Sequence, residues 1–201
     1  MKHVVLSILA SALFAVGCGH APPDQTEDAC LILEDNRSWW RALKRSERRW
    51  GIPPAVQLAI LKRESSFNAN ARPARRRLLG FIPGSRPSSA YGYAQALDGT
   101  WDEFQEDTGQ PFADRDSFEN AVDFVGWYGH LSGERSGISP TNARELYLAY
   151  HEGHGGYNRG SYRGKAWLIR AADSVASDAA RYQSQLNRCE RRLDRGWFGL
   201  F

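Results

Sequence analysis

Gly51-Ile52-Pro53-Pro54-Ala55-Val56-Gln57-Leu58-Ala59-Ile60-Leu61-Lys62-Arg63-Glu64-Ser65-Ser66-Phe67-Asn68 is the stretch on which the fold turns. Gly51 stops the preceding helix. Proline is tolerated in a first helical turn, where its missing N–H costs nothing. The spacing predicts a helix over about 53–67. Its apolar run ends at Glu64, one turn beyond Ile60 and at the edge of the apolar face, away from Lys62 and Arg63. Desolvation raises the pKa of a carboxyl so placed. A carboxyl that stays protonated near neutral pH is what a glycosidic general acid requires. Periodicity alone equally admits a structural glutamate paired with a nearby arginine.

Upstream, from Asp28, the residues Leu31, Leu33, Trp39, Trp40 and Leu43 alternate with charges at helical spacing. Downstream, 68–90 is irregular, rich in Pro, Ser and Arg, with room for one small β-hairpin before Gln95. Long loops in compact domains are commonly functional. Thr100-Trp101-Asp102-Glu103 reads as a capping box opening a helix that Gly109-Gln110-Pro111 ends. Further helices are predicted from Ser117 to Leu131, from Pro140 to Tyr150, and from Lys165 to Arg192. A glycine-rich turn, Gly153 to Gly164, precedes the last. The chain has no alternating strand pattern of useful length and no internal repeat, so the fold class is all-α.

The 201-residue chain opens with Lys2 and His3, an apolar run from Val4 to Val16, then Gly17 and Cys18. That is a secretory leader over 1–17, too short to span a bilayer. A cysteine directly after Ala15-Val16-Gly17 is an expected lipidation site, although Ala15 stands where leucine is usual in a lipobox. Residues 18–27 read as a flexible tether and 28–201 as one domain. Gly19, not Asp, follows Cys18, which fits periplasmic placement on the outer membrane. Cys30 and Cys189 remain, and an oxidising compartment invites a disulfide between them. Without Lys2 the charge is near +2, with no basic stripe joined to a nucleic-acid motif. The tail, Gly196-Trp197-Phe198-Gly199-Leu200-Phe201, is apolar and is expected either to pack back on the domain or to touch a membrane surface or partner.

Four boxes then carry a resemblance. Glu64-Ser65-Ser66-Phe67-Asn68 resembles the Glu-Ser-x-Phe/Trp-Asn/Asp box of the soluble lytic transglycosylase family. Gly92-Tyr93-Ala94-Gln95 is similar to its Gly-Leu-Met-Gln box, Asn120 through Tyr128 to its Asn-Ile-x-x-Gly-x-x-Tyr helix, and Ala149-Tyr150-His151-Glu152-Gly153 to its Ala-Tyr-Asn-Ala-Gly turn. The boxes occur in the family's order over roughly 50–175. The resemblance implies a lysozyme-like α fold, related to that of goose-type lysozymes, acting on peptidoglycan glycan strands as a monomer without cofactor or metal.

It also implies roles. Glu64 matches the single catalytic carboxylate, which serves as both acid and base in forming a 1,6-anhydro ring. Tyr150 matches the tyrosine whose phenol lies near that carboxylate. Gln95 matches the sugar-contacting glutamine, whose amide offers both donors and an acceptor to saccharide hydroxyls, and Ser65 a supporting serine. Tyr93 and His151 stand where the family has leucine and asparagine, and with Tyr91 they are expected in the substrate-binding set.

The chain departs from the family in its longer loop after Glu64, with Arg72, Arg75, Arg76, Arg77 and Arg86. These are candidates for stem-peptide carboxylates or lipid phosphates, or for plain solvation. Ser85, Ser88 and Ser89 compete for the loop serine of relatives. His151-Glu152-Gly153-His154 lacks the zinc-protease spacing. Two other readings stand beside the transglycosylase. One is a hydrolase using water at the same Glu64; the other is a glycan-binding scaffold stacking sugars on Trp101, Tyr91 and Tyr93.

Overall fold

A computed structural model describes residues 21–195 apart from 76 and 79–81. The leader, Cys18 and the tail Gly196–Phe201 lie outside the described residues, as do the side chains of Arg76 and Arg77. The elements run α1 (Ala29–Asp35), α2 (Arg37–Trp50), α3 (Pro54–Ser65), β1 (Arg77–Leu78), β2 (Ile82–Pro83), α4 (Asp98–Thr108), α5 (Phe118–Ser136), α6 (Ala143–Asn158), a 3-10 turn (Ser161–Gly164) and α7 (Ala166–Arg195). The fold is all-α, and the expected hairpin is the antiparallel pair β1–β2.

Four expected boundaries move. The first predicted helix breaks in two at Asn36, whose backbone leaves the helical region (φ −127°, ψ 64°). Helix α4 starts at Asp98, so Thr100 lies inside it and the capping box is unused; the N-cap Leu97 makes no side-chain cap. Ser117 does cap α5, its hydroxyl accepting from the Asn120 amide, but α5 continues past Leu131 to Ser136. Helix α6 begins at Ala143 under an Asn142 cap and runs on through the expected glycine turn, kinking at Gly153 (φ 70°, ψ 156°).

Helix α3 is the centre of the core. Pro54 through Leu61 are all buried, so its first two turns have no solvent face. A helix apolar all round must be enclosed by others. Helices α7, α6, α5 and α2 enclose it. Gln57, wholly buried, answers its position by donating from Nε2 to Ile52 O at 2.6 Å. Lys62 is largely covered and pairs with Glu27 (2.6 Å) and Asp178 (3.1 Å). Helix α5 lies close on α2 because Gly126 has no side chain: a Cβ there would meet Ser46 Oγ at 2.3 Å and Trp50 Cδ1 at 2.7 Å. The disulfide Cys30–Cys189 ties α1 to the end of α7.

Candidate active site

Glu64 is the next-to-last residue of α3. A helix C-terminus carries partial negative charge and so disfavours a carboxylate. Burial acts in the same direction: desolvation pushes the Glu64 carboxyl up to about 7, against a hydrogen bond from Tyr147 and the charge of Arg63. The chain then turns sharply, with Ser66 (φ 50°) and Phe67 (φ 61°) both left-handed. Gln95 (φ 49°) is the remaining non-glycine residue with positive φ among the described residues. All three lie in the boxes that carry the resemblance, and such strain persists only where surrounding packing enforces it. Phe67, fully buried beside Trp39, supplies that packing.

Tyr150 is close enough to Glu64 that the carboxylate's charge, after burial, helps to raise its phenol well above the ordinary range. Its hydroxyl, however, donates to Ala94 O at 2.6 Å. The phenol that hydrogen-bonds Glu64 is Tyr147, one turn earlier on α6. Sequence reading missed Tyr147. The available signal was its spacing: residues three apart on a helix share a face.

Gln95 sits in a turn that needs glycine three residues earlier. Gly92 has φ 77°, and a Cβ there would lie 2.0 Å from Arg115 O. Gln95 donates from Nε2 to Ala71 O and Gly92 O, both at 2.9 Å. Both amide hydrogens are thus used on the backbone, which leaves Oε1 as the side chain's acceptor. This narrows the expectation that the amide would both donate and accept.

Gln95, Tyr150 and His151 line one cavity of 270 Å³ with Thr100 and Glu152. His151 is half-exposed and meets the exposed Trp167 edge-on at 5.0 Å between ring centres. Glu152 is the second residue that sequence reading left without a role. Burial would raise its carboxyl, but Lys165 at 2.6 Å, Ser161, and His151 at 3.2 Å hold it down at about 2.

Three expected contacts are corrected. Tyr93 is a core residue, 2 % exposed and edge-on to Trp39 and Phe118, so its ring is not offered to a sugar. Tyr91 has the Arg72 guanidinium 4.1 Å over its ring and its hydroxyl bound to Asn70 and Asp116, so it is no free stacking platform. Trp101 is buried, with its indole N–H on Ala113 O. Ser65 bonds back to Leu61 O at 3.3 Å, a role within the helix. In the long loop, Arg75 and Arg86 tie down Gly84 O and Pro73 O. Ser89 accepts from the Asp98 amide and Ser88 from that of Ala90.

A family model described as the transglycosylase SLT domain matches residues 6–189. Neither the curated proteins nor the solved structures give a match.

Proposed function

Because the chain belongs to the transglycosylase SLT domain family, with its lysozyme-like α fold and peptidoglycan substrate, we propose that it is a lytic transglycosylase that cleaves between N-acetylmuramic acid and N-acetylglucosamine with Glu64 as general acid and base. The observation that carries this reading is the desolvated Glu64 carboxyl, held up to about 7 at the end of a buried helix. Such a group is protonated when substrate binds and ionises with little driving force.

In the first step Glu64 gives its proton to the glycosidic oxygen as the bond to the muramyl C1 breaks. The substrate's N-acetyl carbonyl oxygen supports the electron-poor C1. The ionised Glu64 then accepts the proton of the muramyl C6 hydroxyl, whose oxygen bonds to C1 and closes the 1,6-anhydro ring. Glu64 ends protonated and no water is consumed. The nucleophile is tethered to the substrate, so proximity replaces a second carboxylate. Tyr147 hydrogen-bonds the ionised form, lowers the pKa that burial has raised, and so keeps the acid strong enough to give up its proton. Gln95 Oε1 and His151 hold the sugars along the 270 Å³ cavity.

The sequence supports placement in the periplasm as a monomer anchored to the outer membrane through acylated Cys18, with 19–27 as the tether. Muropeptides released from purified sacculi test the chemistry. The proposal requires wild type to yield products lighter by one water, without reducing ends, and Glu64→Gln to yield none. Reducing-end products would mean hydrolysis instead. Binding without turnover in both proteins would leave a glycan-binding domain.

A further inference from the structure

The chain's positive charge is concentrated at one corner. Helix α2 carries Arg37, Arg41, Lys44, Arg45, Arg48 and Arg49 against Glu47 alone. The last turns of α7, from Arg188 to Arg195, add four arginines against Glu190 and Asp194. These two segments together have a surplus of seven positive charges, while the whole chain has a surplus of three. All remaining residues therefore carry a net deficit of four.

The two segments meet. Arg37, Arg41, Lys44, Arg45 and Arg48 line a groove of 540 Å³ whose other walls are Trp40, Leu193 and Asp194. Helical spacing explains the row: 37, 41, 45 and 48 fall on one face. Trp39, Leu43 and Ser46 on the opposite face are buried in the core. The one acid in the groove, Asp194, accepts the indole N–H of Trp40 at 2.8 Å. Lys44 is paired with Glu47 and Glu190, and Arg45 with Glu119 across to α5. Arg37, Arg41 and Arg48 are exposed. The disulfide fixes α1 to this same corner, and α1 is the element next to the tether. Nine tether residues reach at most about 30 Å.

We propose that this corner docks on anionic phospholipid headgroups, with the phosphates entering the groove between α2 and the end of α7. Guanidinium groups bind phosphate bidentately, and a planar fork loses little entropy on binding. Each cation at an anionic surface adds about 1 kcal/mol, so a row of exposed arginines is enough to orient a tethered domain. The surface acts independently of glycan cleavage; it suits an anchor at Cys18 without needing one.

The test uses the full chain with Cys18→Ala, so that acylation contributes nothing. Co-sedimentation compares vesicles of phosphatidylcholine alone with vesicles one third phosphatidylglycerol. The expected result is at least about tenfold more binding to the anionic vesicles. High salt should abolish that gain, and so should Arg37→Glu/Arg41→Glu/Arg48→Glu. The triple variant should keep its thermal midpoint and its sacculus cleavage. Equal binding to both vesicles overturns the proposal, as does a salt-insensitive gain. Binding to a phosphate-bearing polysaccharide with no vesicle gain assigns the groove to another polymer and also overturns it. The salt arm uses the arginine-intact chain and decides the matter even where the triple variant fails to fold.

Discussion

The phenol of Tyr147, a buried residue of α6, hydrogen-bonds the carboxyl of Glu64 at the end of α3, whose first two turns are buried in the core. Tyr150, on the same face of α6, is instead fastened to Ala94 O. The two tyrosines divide two tasks: one tunes the acid, the other holds the glutamine turn against it. In Tyr147→Phe the carboxylate loses a donor, so its pKa rises. The alkaline limb of kcat/KM should shift upward by about half a unit to one unit, with roughly a tenfold loss at the optimum. Tyr150→Phe should leave that limb in place and lower stability by about 1 kcal/mol, since it frees a carbonyl. A pH–rate profile beside a denaturant melt separates the two.

Glu64 makes the folded state sensitive to alkali. Its carboxyl is raised from 4.5 to about 7 in the fold. Between those values the unfolded chain ionises and the folded one does not, so stability is full below pH 4.5 and falls as pH rises to 7. The shift corresponds to about 3 kcal/mol. Glu64→Gln should therefore melt higher than wild type at pH 8 and almost equally at pH 4, while turnover drops by several orders of magnitude. Calorimetry at the two pH values reads it directly. A melting gain that does not change with pH would contradict the assigned burial.

Glu152 has the opposite sign. Its carboxyl is held at about 2 by Lys165, Ser161 and His151, in spite of burial. The stabilisation is present above pH 4.5 and is lost as pH falls from 4.5 toward 2. Lys165 is 41 % exposed, so solvent screens the pair and the expected loss in Glu152→Gln at pH 7 is about 1 kcal/mol. The wild-type advantage should vanish near pH 2. Because Glu152 follows His151 and precedes the kink at Gly153, KM for glycan strands should rise more than kcat falls.

Opening the Cys30–Cys189 disulfide by Cys189→Ser should cost on the order of 4 kcal/mol, because the bridge closes a loop over most of the domain. Guanidinium melts of the oxidised, reduced and Cys189→Ser forms should place the last two together.

Much of this was readable from the chain alone. The apolar run through Leu61, the stop at Gly51, the Ser117 cap and the Cys30–Cys189 pair each act locally or by compartment. The placement of Glu64 on a desolvated helix end followed from spacing. What spacing could not give was competition for hydrogen bonds. Gln95 looked like a two-way amide until Ala71 O and Gly92 O took its donors. Tyr91 and Tyr93 looked like sugar platforms because aromatic residues beside a binding box have the same sequence signature whether they face a cleft, an arginine or the core. Asn36 (φ −127°) and Gly153 (φ 70°) break or bend helices through their own backbone freedom, at positions that apolar spacing alone does not mark.

Helix α7 has 30 residues, a rod of about 45 Å. Near one end Trp167 stands against His151; near the other Leu193 and Asp194 wall the cationic groove. The two neighbourhoods lie roughly 40 Å apart along a stiff axis. With the arginine end seated on lipid and α7 upright, the opposite end is carried outward like a lamp on a post. Helix length would then set the depth at which the wall is cut, and removing whole turns from α7 would lower that height stepwise.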